Sequence, residues 1–170
     1  MGFNGIFNVP LIWKVPGVTK TGAVSDSLVS AIDLAPTILN LSNINKKKIL
    51  LDMQGVDITP VLKNPNEKVR ESCLIEVDEA DIRAKAPNDE NILPLGNLEM
   101  RLKSLVTERY TLTVYNKLPE YGDLFDRKND PDELNNLWDS NPELRHELVD
   151  KLLHEVINAQ SLYPKRQGIG

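Results

Sequence analysis

Residues 101–116 read RLKSLVTERYTLTVYN, and this sequence indicates the fold of the C-terminal half. Two runs, Arg101 to Thr107 and Tyr110 to Asn116, are joined through Glu108-Arg109. The second run is rich in β-branched and aromatic residues, a composition typical of β-strands. The sequence therefore predicts two consecutive strands here, and we expect them to lie in a small antiparallel sheet.

Two neighbouring segments extend this sheet. Ser72 to Val77 and Gly122 to Asp126 are apolar runs bounded by polar, loop-like sequence, which predicts two further strands. Between the first two strands lies the segment Asp78 to Asn97, which is rich in Asp, Asn, Pro and Gly and is predicted to be a long loop.

Two segments have the composition of a helix N-terminus. Asp130-Pro131-Asp132-Glu133 and Ser140-Asn141-Pro142-Glu143 each combine a capping residue, a proline and an acidic residue. The second opens a pattern of apolar residues at helical spacing, namely Leu144, Leu148, Val149, Leu152, Val156 and Ile157. We therefore expect residues 67–170 to form an α+β unit, a small antiparallel sheet packed with a C-terminal helix.

The N-terminal part has a different character. Val9 to Val15 is a nearly continuous apolar run between prolines, which favours a strand buried on both faces in an α/β sheet. Asp33 is placed to cap a helix over Leu34 to Leu41. We expect residues 1–48 to form the end of a larger α/β domain, and residues 49–66 to be a linker with a short helix.

Charge and hydropathy exclude some classes of partner. The chain has 20 Lys and Arg against 25 Asp and Glu, a formal net charge of -5, so we expect no nucleic-acid partner. Its apolar runs are much shorter than the roughly 20 residues of a membrane helix, so we expect no membrane partner. The N-terminus has no signal-peptide pattern. The sequence assigns no location, and the cytoplasm is the default.

The residues that could carry chemistry do not form a self-sufficient site. His146 and His154 lie about two turns apart on the predicted helix, too far to share a metal. The sole cysteine, Cys73, lies in an apolar run, which favours an inert buried thiol. Arg101, Lys103 and Arg109 are either an anion contact or ordinary exposed strand charges. We predict no catalytic residue and no metal ligand.

Three stretches together carry a resemblance to a known family. The first is NVPLIWKVPG over residues 8–17, the second is VSDSLVSAIDLAPTIL over 24–39 followed by QGVD over 54–57, and the third is LFD over 124–126 with DPDE over 130–133 and NL over 136–137. In this order and spacing they resemble the C-terminal part of the type I sulfatases, within the alkaline-phosphatase-like superfamily.

The resemblance implies a fold, and it implies that the family's catalytic residues are absent from this chain. The fold would be the last strand and helix of a large α/β sulfatase domain, followed by the C-terminal subdomain. The family nucleophile lies in Cys/Ser-x-Pro-x-Arg, whereas Cys73 precedes Leu74-Ile75, and Asn8 stands where relatives often have arginine. Calcium and formylglycine are implied for the intact enzyme and none for this chain, which we expect to be inactive alone.

The resemblance also implies partners and candidate contacts. The partner is the N-terminal sulfatase domain, and the substrate is a sulfate ester, with phosphonate and phosphate esters as close alternatives. In the family, the small subdomain commonly forms one side of the substrate cleft. The candidate substrate contacts are therefore Arg101, Lys103 and the loop Asp78 to Asn97. An alternative hypothesis is a free-standing interaction module that self-associates through the strand Val9 to Val15, whose backbone groups would lack neighbours.

Overall fold

Four strands form one antiparallel sheet in a computed structural model of the chain, which describes residues 7–44, 53–78, 101–116 and 118–161. The strands lie in chain order: β1 Ser72–Asp78, β2 Arg101–Thr107, β3 Tyr110–Tyr115 and β4 Gly122–Asp126. Each strand pairs with the next in antiparallel register. The predicted α+β fold is therefore confirmed, and β2 and β4 begin and end at the predicted residues.

Three helices with defined bounds accompany the sheet in the part of the chain that the structure describes. Helix α1 spans Leu34–Leu41 and follows a 3-10 turn at Ala31–Asp33, helix α2 spans Thr59–Lys63, and helix α3 spans Pro142–Ser161. Asn141 accepts a hydrogen bond from the Leu144 N–H at 3.3 Å, as an N-cap residue does. The second predicted helix start is therefore confirmed.

Helix α3 covers one face of the sheet, and the hydrophobic core lies between the helix and this face. Leu74, Leu105, Leu112 and Leu124 are register partners across all four strands, so their side chains share a face. Leu148 and Leu152 of α3 pack against this row together with the buried Trp138 ring. Ile157 lies outside this core and is 51% exposed, so its assignment to the apolar stripe was wrong.

The first predicted helix start, at Asp130, is also wrong. The Asp130 carboxylate accepts hydrogen bonds from the N–H groups of Leu134 and Asn135 and closes a local turn. Glu133 has a φ of 53°, in the left-handed region, and a right-handed helix cannot continue through it. Short polar side chains that bind nearby backbone groups compete with the helix in this way.

The predicted strand Val9 to Val15 is not a strand in the described structure. Val9 is 68% exposed and Ile12 is 90% exposed. Pro10 supplies no N–H, and no strand in the described ranges lies beside this segment to pair with it. A β-strand requires backbone hydrogen bonds to a neighbouring strand. Because this apolar run has no such neighbour among the described residues, it does not form a strand.

Candidate functional site

A buried carboxylate, Asp33, joins the N-terminal part of the chain to the sheet. Its side chain is completely buried. One carboxylate oxygen accepts from the Ser30 N–H at 2.7 Å, and the other accepts from the Val56 N–H at 2.8 Å and from the Arg70 guanidinium. Asp33 therefore ties together three segments that are distant in sequence, and we call this arrangement the Asp33 junction.

Neighbouring residues complete the junction. Thr37, one helical turn beyond Asp33, donates its hydroxyl to the Asp33 carbonyl at 2.6 Å and accepts from the Ile58 N–H at 3.0 Å. Gly55 lies against the Ile32 carbonyl so closely that a Cβ there would be 2.0 Å from the oxygen. The DLAPT and QGVD stretches thus form one packed unit.

The role predicted for Asp33 needs correction. It does occupy the N-cap position of α1, and α1 has the predicted bounds, but its side chain makes no hydrogen bond to that helix. The carboxylate instead accepts the hydrogen bonds of the Asp33 junction. Its ionic partner, Arg70, was not predicted from the sequence, because it lies 37 residues away and no local pattern links the two.

A second polar cluster lies on the sheet around Asp123 of β4. The Asp123 carboxylate accepts from the hydroxyls of Tyr115 and Tyr121 and from the Asn136 amide. The two tyrosine rings stack with centroids 5.9 Å apart. Burial, followed by the hydrogen bond to Asp123, raises the pKa of Tyr121, so this phenol stays protonated near neutral pH. The cluster holds β3, β4 and the following segment together.

Asp126, at the end of β4, also has a structural role. It accepts from the Arg109 guanidinium at 2.9 and 3.1 Å, and from Lys128 and Asn129. Arg109 is the main cause that lowers the pKa of Asp126 to about 2. This carboxylate is therefore ionised at neutral pH and acts as an ordinary ion-pair partner.

The two candidate substrate contacts lie near one end of β2. Lys103 forms an ion pair with Glu76, its register partner on β1, with an N···O distance of 2.6 Å. Arg101 is exposed, and its main chain exchanges hydrogen bonds with Asn116. The structure thus brings Lys103 to a carboxylate and leaves the Arg101 guanidinium at the surface. Residues 79–97 of the candidate loop lie outside the described residues.

The described residues do not fit the catalytic groups implied for the intact enzyme. The Cys73 thiol is buried on β1 and lies 3.7 Å from the Arg70 guanidinium. Burial raises the pKa of this thiol, whereas a nucleophilic cysteine needs a lowered one. Over residues 7–44, 53–78, 101–116 and 118–161, no three His, Cys, Asp or Glu side chains converge as metal ligands.

The N-terminal segment presents apolar side chains at the surface. Val9, Ile12 and Val24 are 68%, 90% and 82% exposed. Leu11, Ile12, Trp13 and Val24 line a shallow groove with Ile58 and Val61 as apolar neighbours. We call these exposed side chains the N-terminal apolar surface. In the part of the chain that the structure describes, no helix combines the length and apolar character needed to cross a membrane.

Comparisons with known proteins agree on one family. Residues 1–87 match the family model described as N-sulphoglucosamine sulphohydrolase, C-terminal. The chain is 29% identical to arylsulfatase K of Gallus gallus over 169 residues, which are 96% of this chain and 27% of that protein. It is 31% identical to an endo-4-O-sulfatase of Bacteroides thetaiotaomicron over 160 residues, which are 91% of this chain and 29% of the relative.

Solved structures show the same fold. One solved structure is a protein in complex with its substrate, D-glucosamine-2-N,6-O-disulfate. It superposes on this chain with a TM-score of 0.66 at 20% sequence identity, and the match covers 89% of this chain and 28% of the other. The phosphonate monoester hydrolase of Agrobacterium radiobacter superposes with a TM-score of 0.51 at 23% identity, over 79% and 25%. The chain spans between 21% and 29% of the length of the curated relatives it matches. By these matches and by its fold, the chain belongs to the sulfatase family and corresponds to its C-terminal region.

Proposed function

We propose that this chain is the C-terminal part of a sulfate-ester hydrolase and is inactive by itself. The observation that carries the proposal is the match of residues 1–87 to a sulfatase C-terminal model. Sulfate-ester cleavage needs an activated nucleophile, a cation and positive groups on the developing charge. We place the formylglycine nucleophile and the calcium ion in the remainder of the enzyme, since the described residues do not fit them.

The partner of the chain is then the N-terminal sulfatase domain. The N-terminal apolar surface supports this, because the exposed side chains of Ile12 and Val24 line one groove and Val9 is exposed as well. Exposed hydrophobic patches of this kind mark interaction sites. The Asp33 junction ties residues 30–33, which follow this segment in the chain, to Val56 and Arg70. The same surface supports the alternative, an interaction module that self-associates. Sedimentation distinguishes the two, because a module predicts a defined dimer and a domain awaiting its partner does not.

Arg101 remains the candidate substrate contact in the intact enzyme. Its guanidinium is exposed at the start of β2, whereas Lys103 is engaged by Glu76. Arg101→Gln in the intact enzyme is expected to raise KM about tenfold with little change in kcat, as loss of uniform substrate binding does. Lys68→Gln is the control, because Lys68 is exposed and pairs with Glu108 just beyond the other end of β2. An unchanged KM in Arg101→Gln would remove this residue from the substrate site. The expected absence of nucleic acid and the default cytoplasmic location also stay predictions.

The DNA directly upstream of the Met1 codon tests the assignment. We expect an in-frame stretch that encodes Cys/Ser-x-Pro-x-Arg together with the acidic metal ligands, which would join this chain to a sulfatase core. A stop codon and a ribosome-binding site, with no such stretch nearby, would contradict the assignment and leave the interaction module.

A further inference from the structure

Helix α1 turns polar side chains inward and apolar side chains outward. Asp33 and Thr37 lie one turn apart on the same side of the helix, and both are completely buried. The outward side chains at helical spacing are all apolar, namely Leu34, Ile38 and Leu41. Ile38 is 52% exposed, and the two leucines are half-buried. A helix at the surface of a soluble protein normally has the opposite arrangement, with its apolar stripe against the core.

Hydrogen bonds hold the polar side of α1 inward. The Thr37 hydroxyl joins the Asp33 carbonyl to the Ile58 N–H, at 2.6 and 3.0 Å. Asn40, one turn further along, donates its side-chain amide to the Thr59 hydroxyl on α2 at 3.1 Å. Rotation of the helix would break these bonds and leave buried polar groups unpaired, which is unfavourable. The fold therefore keeps the apolar side of the helix facing outward.

The outward side of α1 carries no charge. Residues 31–44 contain a single charged residue, the buried Asp33. Apolar exposure continues on both sides of the helix, where Ile32 and Ile44 are 50% and 49% exposed. We call the outward side chains of the helix, Leu34, Ala35, Ile38 and Leu41, the α1 apolar face. Such a face binds a partner through burial of apolar surface, and exposed apolar patches mark interaction sites.

The size of the α1 apolar face indicates how large its partner is. The helix has 8 residues, so it is about 12 Å long and its outward half offers about 200 Å². A stable interface buries about 800 Å² on each partner, so two copies that met through this helix alone would not form one. The partner therefore covers more of the chain. The match covers only 21–29% of each curated relative, so about three quarters of each relative is available for this role.

We propose that the α1 apolar face docks against an uncharged apolar surface of the N-terminal sulfatase domain. This inference rests on the proposed function, and it names a docking surface in addition to the N-terminal apolar surface. Docking would bury Ile38 and complete the burial of Leu34 and Leu41. The unusual polarity of α1 then has a physical reason, because hydrogen bonds stabilise one side of the helix and apolar contacts stabilise the other.

Maleimide labelling of an introduced thiol tests the proposal. Ile38→Cys on α1 and the matched control Leu153→Cys on α3 replace side chains that are 52% and 55% exposed. In the 170-residue chain, both thiols are expected to react at similar rates, since the native Cys73 is buried. In the intact enzyme, Ile38→Cys is expected to react at least about tenfold more slowly, and Leu153→Cys at its former rate. An unchanged rate for Ile38→Cys would overturn the proposal.

Two further measurements separate this inference from the proposed function. Sulfate-ester hydrolysis is assayed on the same intact enzyme. An active enzyme with an unprotected Ile38→Cys would overturn the docking inference alone, whereas a protected Ile38→Cys in an inactive enzyme would support docking and contradict the activity. A defined dimer of the 170-residue chain that protects Ile38→Cys would overturn the proposal, because a second copy would then cover the face. Hydroxyl-radical footprinting of the native Ile38 measures the same protection if the variant fails to fold.

Discussion

Replacing Asp33 with alanine is expected to lower the free energy of unfolding by about 3–5 kcal/mol, the range seen when one partner of a buried ion pair is removed. The substitution leaves the Arg70 guanidinium without its carboxylate, and the N–H groups of Ser30 and Val56 without their acceptor. Domains of ordinary stability have only about 5–15 kcal/mol in total. Urea unfolding followed by far-UV circular dichroism measures the change.

The matched control for this substitution is Asp139→Ala. The Asp139 side chain is 95% exposed and its carboxylate lies 3.9 Å from Arg145, so its removal should change stability by less than about 0.5 kcal/mol. Amide hydrogen exchange locates the effect, because Asp33→Ala should speed exchange at Ser30 and Val56. If Asp33→Ala costs less than about 1 kcal/mol, the junction is not the link that we describe.

Substituting Gly55 with alanine is expected to cost about 3 kcal/mol through a direct steric conflict. The new Cβ would lie 2.0 Å from the Ile32 carbonyl oxygen and 2.5 Å from its carbon. Both are backbone atoms, so no side-chain rotation can relieve the overlap, and overpacking of this kind falls at the upper end of its usual cost. The backbone must shift, which also moves the Val56 N–H away from Asp33. Urea unfolding of the variant checks this value.

Gly17→Ala separates this steric effect from the loss of glycine's conformational freedom. Gly17 has a φ of 76°, but no atom of the described residues lies within 4 Å of the place that an added methyl group would take. Only left-handed strain of about 1–2 kcal/mol therefore applies. A larger loss of stability in Gly55→Ala than in Gly17→Ala supports the close approach. Equal losses would mean that the segment around Gly55 can relax away from Ile32.

Local patterns predicted the sheet well. The strands β2 and β4 follow from composition within a few residues, and α3 follows from its capping residues and apolar spacing. These features depend on neighbours in sequence, and they need no knowledge of distant partners. The order of the four strands also follows the chain, since consecutive strands often pair.

The errors have one physical cause, which is dependence on residues far away in sequence. Val9 to Val15 has the composition of a buried strand, but pairing requires a neighbouring strand that no local pattern supplies. Asp33 was assigned to α1, the nearest helix, because the positions of Arg70 and Val56 beside it arise only from the tertiary fold.

The buried polar groups of this chain serve its fold. The Asp33 junction and the Asp123 cluster use carboxylates to join separate segments of the chain, and the Cys73 thiol is buried. These observations agree with our proposal that the chain is inactive by itself.

An assay of 4-nitrophenyl sulfate hydrolysis by the purified 170-residue chain, with calcium or manganese present, measures whether the chain is inactive by itself. An intact arylsulfatase in the same buffer is the positive control, and a sample without protein sets the background. We predict no release of nitrophenol above that background. Robust turnover that depends on the metal and is abolished by a chelator would contradict our proposal.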